Sequence, residues 1–483
     1  MRKKVKAKYI IAYENNEFVV YENGEMVYEN DKILEIGKKI DAICDKEIDY
    51  GNAIISPGFI DMNALGDIDH SLFYSEQSNP EKMFWSKKYF EQGAKEAMTQ
   101  EEEAFKSQYA YAQLISHGIT TAMPITCVYY KKAGETYEEL EAALEHAVNM
   151  GLRAYLGPSY ISAMHIYDEM DKKQKIMYME KEGYKGLENA KKFAQKYNGA
   201  ADDLIRTVMV PERIELQTED ILKETKKFAN ENNLIMRLHA AQGKFEYEFI
   251  MKQYQMSPIA YLEKMNLLDK KTLIPHALYA SGNLDVADKG DRDLEILRDT
   301  GTSIIHCPLV QARNGQVLKS FGRYRRFGIN VCMGTDTYPT DFFQIIRLAS
   351  SLAMGVDEDH QSHYYKEFYE AATIGAAKAL GREDIGRLCS GAKADFIVVD
   401  LSDFQMGVCD DPIRTMFMCA NGSDVKHVVI NGRTVLENGK LPNFDYEKVQ
   451  YKAQQYYEKM KNSFIERSAY PSQEFCQYSY KMK

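Results

Sequence analysis

The segment TEDILKETKKFANENN (Thr218–Asn233) runs without a break into LIMRLHAAQ (Leu234–Gln242), and this pair decides the fold. Thr218 stands where an N-cap is wanted, and Glu219 and Asp220 favour a first helical turn. Ile221, Thr225 and Phe228 recur on one helical face, and Asn232-Asn233 is a stop. The run that follows is short, apolar and polar at its end, which is the pattern of a buried strand. The same format of charged amphipathic stretch, stop and strand recurs along the chain. Strands are expected at Ile119–Ile125, Leu152–Leu156, Leu234–Leu238, Thr272–Ile274, Thr302–Ile305 and Ile329–Met333. The stops before them include His117-Gly118, Met150-Gly151, Thr300-Gly301 and Phe327-Gly328. Alternation of this kind implies parallel strands joined by right-handed crossovers, and its number and span favour a (β/α)8 barrel over an open sheet. No GxGxxG follows the first strand to support a dinucleotide fold.

The ends read differently. Residues 5–56 hold short β-type runs such as KYIIAY and FVVYENGEMVYEN between Asn/Gly turns, and residues 394–437 return to that style in ADFIVVD and HVVINGRTVLENGK. The expected organisation is a small β-sandwich domain from residues 1–57 and 388–440, a barrel over 58–387, and a helical tail over 441–483. The tail is expected to dock on the barrel or on a second subunit, because aromatic residues recur in it too often for a solvated segment.

Composition bounds the rest. The 483 residues carry 61 Lys+Arg against 71 Asp+Glu, a net charge of −10, so a polyanion-binding surface is not the expectation. The N-terminus lacks the long apolar run of a secretion signal, and no stretch reaches the roughly 20 apolar residues of a membrane span. The eight cysteines are scattered without a CxxC, as in reduced cytosolic proteins. A cytoplasmic protein with no nucleic acid or membrane partner is therefore expected.

In a barrel the chemistry lies just past the strand ends. Those positions hold Asn63, Asp67, Asp69 and His70 after SPGFIDM, His239 and Gln242 after LIMRL, His276 after KTLIP, His306 after TSII, and Asp336 after INVCMGT. Several imidazoles and a carboxylate at one mouth supply the ligand types of a mononuclear hydrolytic metal site. Arg213 and Glu215, at the expected end of the fourth strand, could recognise a carboxylate or a ring edge. Arg237 is read as pointing away from the His239 face, into helix packing or an ion pair. Tyr74 and Trp85 fall after the first strand, where lid residues are expected.

The chain resembles the amidohydrolase superfamily, in its cytosine-deaminase-like and triazine-hydrolase-like branch. The resemblance spans nearly the whole sequence and rests on ISPGFID (Ile55–Asp61), HGITTAM (His117–Met123), RLHAAQ (Arg237–Gln242), HCPLV (His306–Val310), GTDT (Gly334–Thr337), ATIGAAKALG (Ala372–Gly381), IGRLCSGAKADFIVVD (Ile385–Asp400) and VVINGRTV (Val428–Val435). It implies His239, His276 and Asp336 as ligands of a divalent metal, zinc or iron, with Asp336, His276 and Gln242 as the catalytic residues, a small-molecule substrate, and a homodimer. The chain departs from the family pattern twice. The first-strand H-x-H pair is Asn63-Ala64-Leu65, and the proton-shuttling Glu of H-x-x-E is Gln242, which can hydrogen-bond substrate but cannot transfer protons as a carboxylate does. Asn63, Asp69, His70 and His306 are the expected substrate contacts. The implied function is hydrolysis of a C–N or similar bond in a small nitrogen heterocycle or amide; the alternative is a catalytically silent homologue that binds a ligand or partner.

Overall fold

The computed structural model describes residues 1–68, 84–126, 131–283, 286–319, 321–358 and 364–469. Eight parallel strands form the central sheet: β1 (Phe59–Leu65), β2 (Ile119–Ile125), β3 (Arg153–Leu156), β4 (Ile205–Met209), β5 (Ile235–Arg237), β6 (Thr272–Pro275), β7 (Ser303–His306) and β8 (Val331–Met333). They pair in chain order, with registers such as Val208↔Ile235, Met236↔Thr272 and Ile304↔Val331. Helices separate them, so this is the expected (β/α)8 barrel. β8 returns to β1 through the Asp336 amide, which donates to the Asn63 carbonyl at 2.9 Å.

The stops act as read. Gly151 and Asn233 take left-handed backbones at φ +78° and +58°, ending the helices Tyr137–Met150 and Glu219–Glu231 before their strands. Thr218 has cap-like extended backbone, but its hydroxyl makes no capping bond; its amide donates instead to Ser162 Oγ at 2.8 Å. That helix is anchored by buried Ile221, Leu222 and Thr225, whose packing outweighs the missing cap.

Alternation sorts each strand between two cores. Ile60, Met123, Val208, Ile235, Leu273 and Ile305 fill the barrel interior, while Met236, Leu238, Ile274 and Ile304 pack outward under the helices. Truncating such a fully buried leucine costs about 2–5 kcal/mol.

Both ends of the chain join one eight-stranded sheet. Phe396–Asp400 lies antiparallel on Ala53–Pro57 in the register Phe396↔Pro57, and Ala53–Pro57 lies parallel to Arg2–Glu14. The helix Tyr446–Arg467 docks on the barrel helix Gln100–Ser116: Ala453 and Met460 cluster with Phe105, and Tyr456 meets the Phe105 ring edge-on at 5.1 Å. One element was not legible in the sequence. The hairpin Ala163–Asp168/Lys173–Tyr178 leaves the end of β3 and pairs with Trp85–Ser86, so Trp85 is a buried strand residue here. Among the described residues no helix is long and apolar enough to cross a membrane.

Candidate active site

Strand parity builds the mouth. On β5 the inward face runs Ile235, Arg237, His239. Residues two apart share a face, so the expectation that Arg237 points away from His239 is corrected. Its guanidinium crosses the barrel interior and donates to the Met123 carbonyl at 2.5 Å, the Pro124 carbonyl at 2.8 Å and the Met62 carbonyl at 3.4 Å. The His239 imidazole, one layer higher, has Nδ1 3.0 Å from the Glu212 carbonyl. A proton on Nδ1 donated to that oxygen leaves Nε2 as a lone-pair donor. Burial, with His276, Arg213 and Arg237 nearby, holds His239 well below the usual histidine range, so the ring is neutral.

On β6 the chain leaves the strand with left-handed backbone at His276 (φ +70°) and Ala277 (φ +49°), held by a 2.7 Å hydrogen bond from the His276 amide to the Ile305 carbonyl. Two non-glycine residues in this region cost of order 1–3 kcal/mol each, a strain that concentrates at functional sites. The turn brings His276 Nε2 to 3.4 Å from Asp336 Oδ2, and Nε2 makes no hydrogen bond. Burial, then Arg213 and His306, push His276 down to about 3, so it too is neutral. Gln311 holds its Nδ1 at 3.2 Å. Gln311 Oε1 is buried without a partner, and turning this amide by 180° lets Oε1 accept from Nδ1–H while Nε2 faces Asp336 with its lone pair.

Asp336 itself has φ +54°, and its neighbour Thr335 fixes the bend by donating to the Asp61 carboxylate through both amide (3.1 Å) and hydroxyl (2.6 Å). Burial pushes Asp61 up to about 6 against those hydrogen bonds. Gly334 is required: a Cβ there would stand 2.8 Å from Asn63 Cβ and 3.0 Å from Cys307 Sγ.

The sequence-expected residues divide. His276 and Asp336 come together, and His239 stands beside them with ring centroids 5.4 Å apart from His276. Asn63 is fully buried, its Nδ2 3.9 Å from Cys307 Sγ and its Oδ1 without a hydrogen bond. Gln242 gives its Oε1 to Arg213 at 2.6 Å. His306 has the outward parity of Ile304, and its ring lies 6.0 Å from Phe368 and 6.4 Å from Phe321, bordering a small cavity of about 10 Å³ with Gln311. Asp67 is buried against Lys106 at 3.2 Å, pairing within the wall. Asp69, His70 and Tyr74 lie outside the described residues.

Sequence reading passed over Glu212 and Cys307, although parity marks both: Val208 and Val210 face inward before Glu212, and Ile305 before Cys307. Glu212 is buried with Oε2 unpartnered, and burial pushes it up to about 8. Glu215 is tied to Arg213 at 2.8 Å and to His165 at 3.1 Å; burial opposes its ionisation, but those two hold it at about 2. His165 comes from the hairpin and is flanked by Phe84 and Phe245, a contact no local sequence signal announces.

Residues 54–435 match the model of the amidohydrolase family. The chain is 26% identical over 432 residues to the 5'-deoxyadenosine deaminase of Methanosarcina acetivorans, covering 88% of this chain and 91% of that one. It is 24% identical over 429 residues to the 5-methylthioadenosine/S-adenosylhomocysteine deaminase of Pyrococcus horikoshii, covering 88% and 93%. Among solved structures, a zinc-bound adenosine deaminase from Xanthomonas campestris superposes with a TM-score of 0.77 at 19% identity, covering 95% and 98%. The zinc complex of atrazine chlorohydrolase from Arthrobacter aurescens superposes with a TM-score of 0.75 at 17% identity, covering 94% and 100%. With the barrel, the inward His239 and His276, and Asp336 at the end of β8, the match over most of the sequence establishes that this chain belongs to the amidohydrolase family.

Proposed function

We propose that the protein is a divergent, metal-dependent hydrolase that cleaves a carbon–nitrogen or comparable leaving-group bond at an sp2 carbon of a small nitrogen heterocycle or amide. The observation that carries this reading is the approach of His276 Nε2 to Asp336 Oδ2 at 3.4 Å, at the C-terminal mouth of the barrel, with Nε2 otherwise unpartnered. Two neutral imidazoles and a carboxylate fit a divalent ion such as zinc or iron, and the buried, unpartnered Asn63 Oδ1 and Glu212 Oε2 are further oxygens in want of a partner. His239, His276 and Asp336 would hold the ion, which when bound supplies Lewis acidity and eases the deprotonation of water.

The chain's own groups supply the rest. Asp336 accepts the proton of the attacking water, and its backbone is fixed from both sides by the Asn63 carbonyl and the Asp61–Thr335 pair. Gln242, with its carbonyl oxygen committed to Arg213, has an amide N–H left to donate to an acceptor on substrate. A side-chain carboxylate shuttle at that position is missing, so a leaving group that departs without strong protonation suits this site better than ordinary amine loss. The relatives named for adenosine-type deamination support the heterocycle class. A homodimer and a cytoplasmic location belong to the same proposal, the first testable by sedimentation.

The catalytically silent alternative draws on Asn63 and Leu65 at the lost ligand positions. The test is turnover in H2(18)O over a panel of amino-, alkoxy- and halo-substituted purines, pyrimidines and triazines. The proposal expects one 18O per product from wild type and formation of that product slowed by about 10²–10⁴-fold in Asp336→Asn; no turnover of any member by metal-reconstituted protein contradicts it.

A further inference from the structure

The tightest donor group at the mouth is not the one the family pattern selects. His276, Cys307 and Asp336 each offer a ligand atom within 4.8 Å of the others, with the His239 ring 5.4 Å from that of His276. Cys307 is fully buried and continues the inward parity of Ile305. A buried cysteine alone is a small apolar residue, so its neighbours decide what it does. Its sulfur has only a long contact to the Ile305 carbonyl, 4.0 Å, and the Asn63 amide nitrogen at 3.9 Å. His276 Nε2 and Asn63 Oδ1, both buried and without a hydrogen bond, stand beside it. The space is kept clear by Gly334, whose Cβ would come within 3.0 Å of the sulfur.

We propose that Cys307 is a thiolate ligand of the divalent metal, joining His276 and Asp336 in place of the first-strand pair absent at Asn63 and Leu65. This rests on the metal-dependent reading above. Binding forms one metal–sulfur bond and releases the thiol proton to solvent, with no change of oxidation state. A sulfur ligand selects zinc, cobalt or cadmium over the hard cations magnesium and calcium.

Cobalt(II) titrated into the metal-free full-length protein tests it. Wild type is expected to bind one equivalent and to show a near-ultraviolet sulfur-to-cobalt charge-transfer band; Cys307→Ser loses that band, and Cys332→Ser, one residue into β8, retains it. Cobalt bound by wild type without the band, or a band surviving in Cys307→Ser, overturns the cysteine assignment and leaves the metal reading standing. Failure of wild type to bind cobalt or zinc at all overturns both. Should Cys307→Ser not fold, X-ray absorption of zinc-loaded wild type decides without a substitution: one sulfur at about 2.3 Å is expected, and a shell of nitrogen and oxygen alone at about 2.0–2.2 Å is the contrary result.

Discussion

The two halves of the barrel mouth treat buried polar groups in opposite ways. On the β1–β2 side the charges are spent within the wall. Arg237 saturates the Met123 and Pro124 carbonyls, Asp67 takes Lys106, and Lys131 lies between Glu103 and Glu139 at 2.9 and 2.8 Å. Towards β4 and β6 Glu212 Oε2 and His276 Nε2 are buried without a hydrogen bond, and Asn63 Oδ1 on β1 joins them. Burying a polar atom without a partner costs about 1–3 kcal/mol, so three together mark a place shaped for something other than stability. Asn63 is the bridge between the halves: its carbonyl closes the barrel, while its side chain faces Cys307. On the proposed reading the ligand positions on β1 serve as scaffold, and the chemistry falls to the strand ends from β5 to β8.

The comparison breaks most plainly if the rims respond alike to substitution. His276→Ala and Asp336→Asn should lower turnover by about 10²–10⁴-fold while the denaturation midpoint stays close to wild type, as read by steady-state assay and urea unfolding. Arg237→Met should do the reverse in stability, costing about 2–5 kcal/mol, because the carbonyls of Met123 and Pro124 lose their donor in the dry interior. An Arg237→Met protein as stable as wild type would show that the β1–β2 side is not scaffold. Gly334→Ala, which pushes a methyl against Asn63 and Cys307, should cost about 1–3 kcal/mol and weaken metal retention together.

A pH series sharpens the contrast at the Arg213 cluster. Burial, and then Glu215, push Glu246 up to about 8 against the pull of Arg213. With the folded value above the unfolded one, this group's contribution is fully present below about pH 4.5 and is lost as pH rises towards 8. Glu246→Gln removes that loss, so its melting temperature relative to wild type should climb between pH 5 and pH 9; a flat difference would place the titration elsewhere. The smallest effect is expected from Asn63→Ala, within about 1 kcal/mol, because the side chain makes only the 3.9 Å contact to sulfur and the backbone bond to Asp336 is kept.

The barrel was legible because its signals are local. Gly151 and Asn233 stop helices where the sequence says they should, and six expected strands appear with ends shifted by at most two residues. The placement of His239, His276 and Asp336 together at the mouth was legible because all three follow strand ends. The misreading of Arg237 came from parity, which places residues 237 and 239 on one face, and the same rule would have found Glu212 and Cys307. The Lys106–Asp67 pair, the His165–Glu215 contact and the hairpin carrying His165 depend on segments far apart in sequence, with no periodic pattern to announce them.

The central claim, that a metal-binding site survives on the β5–β8 rim without the first-strand histidines, is tested most directly by elemental analysis. Untagged wild type, His239→Ala and Asp336→Ala would be compared as purified and after reconstitution. Near-stoichiometric zinc, iron or manganese in wild type that falls in both variants is the predicted result. The absence of metal from all three, even after reconstitution, would contradict it.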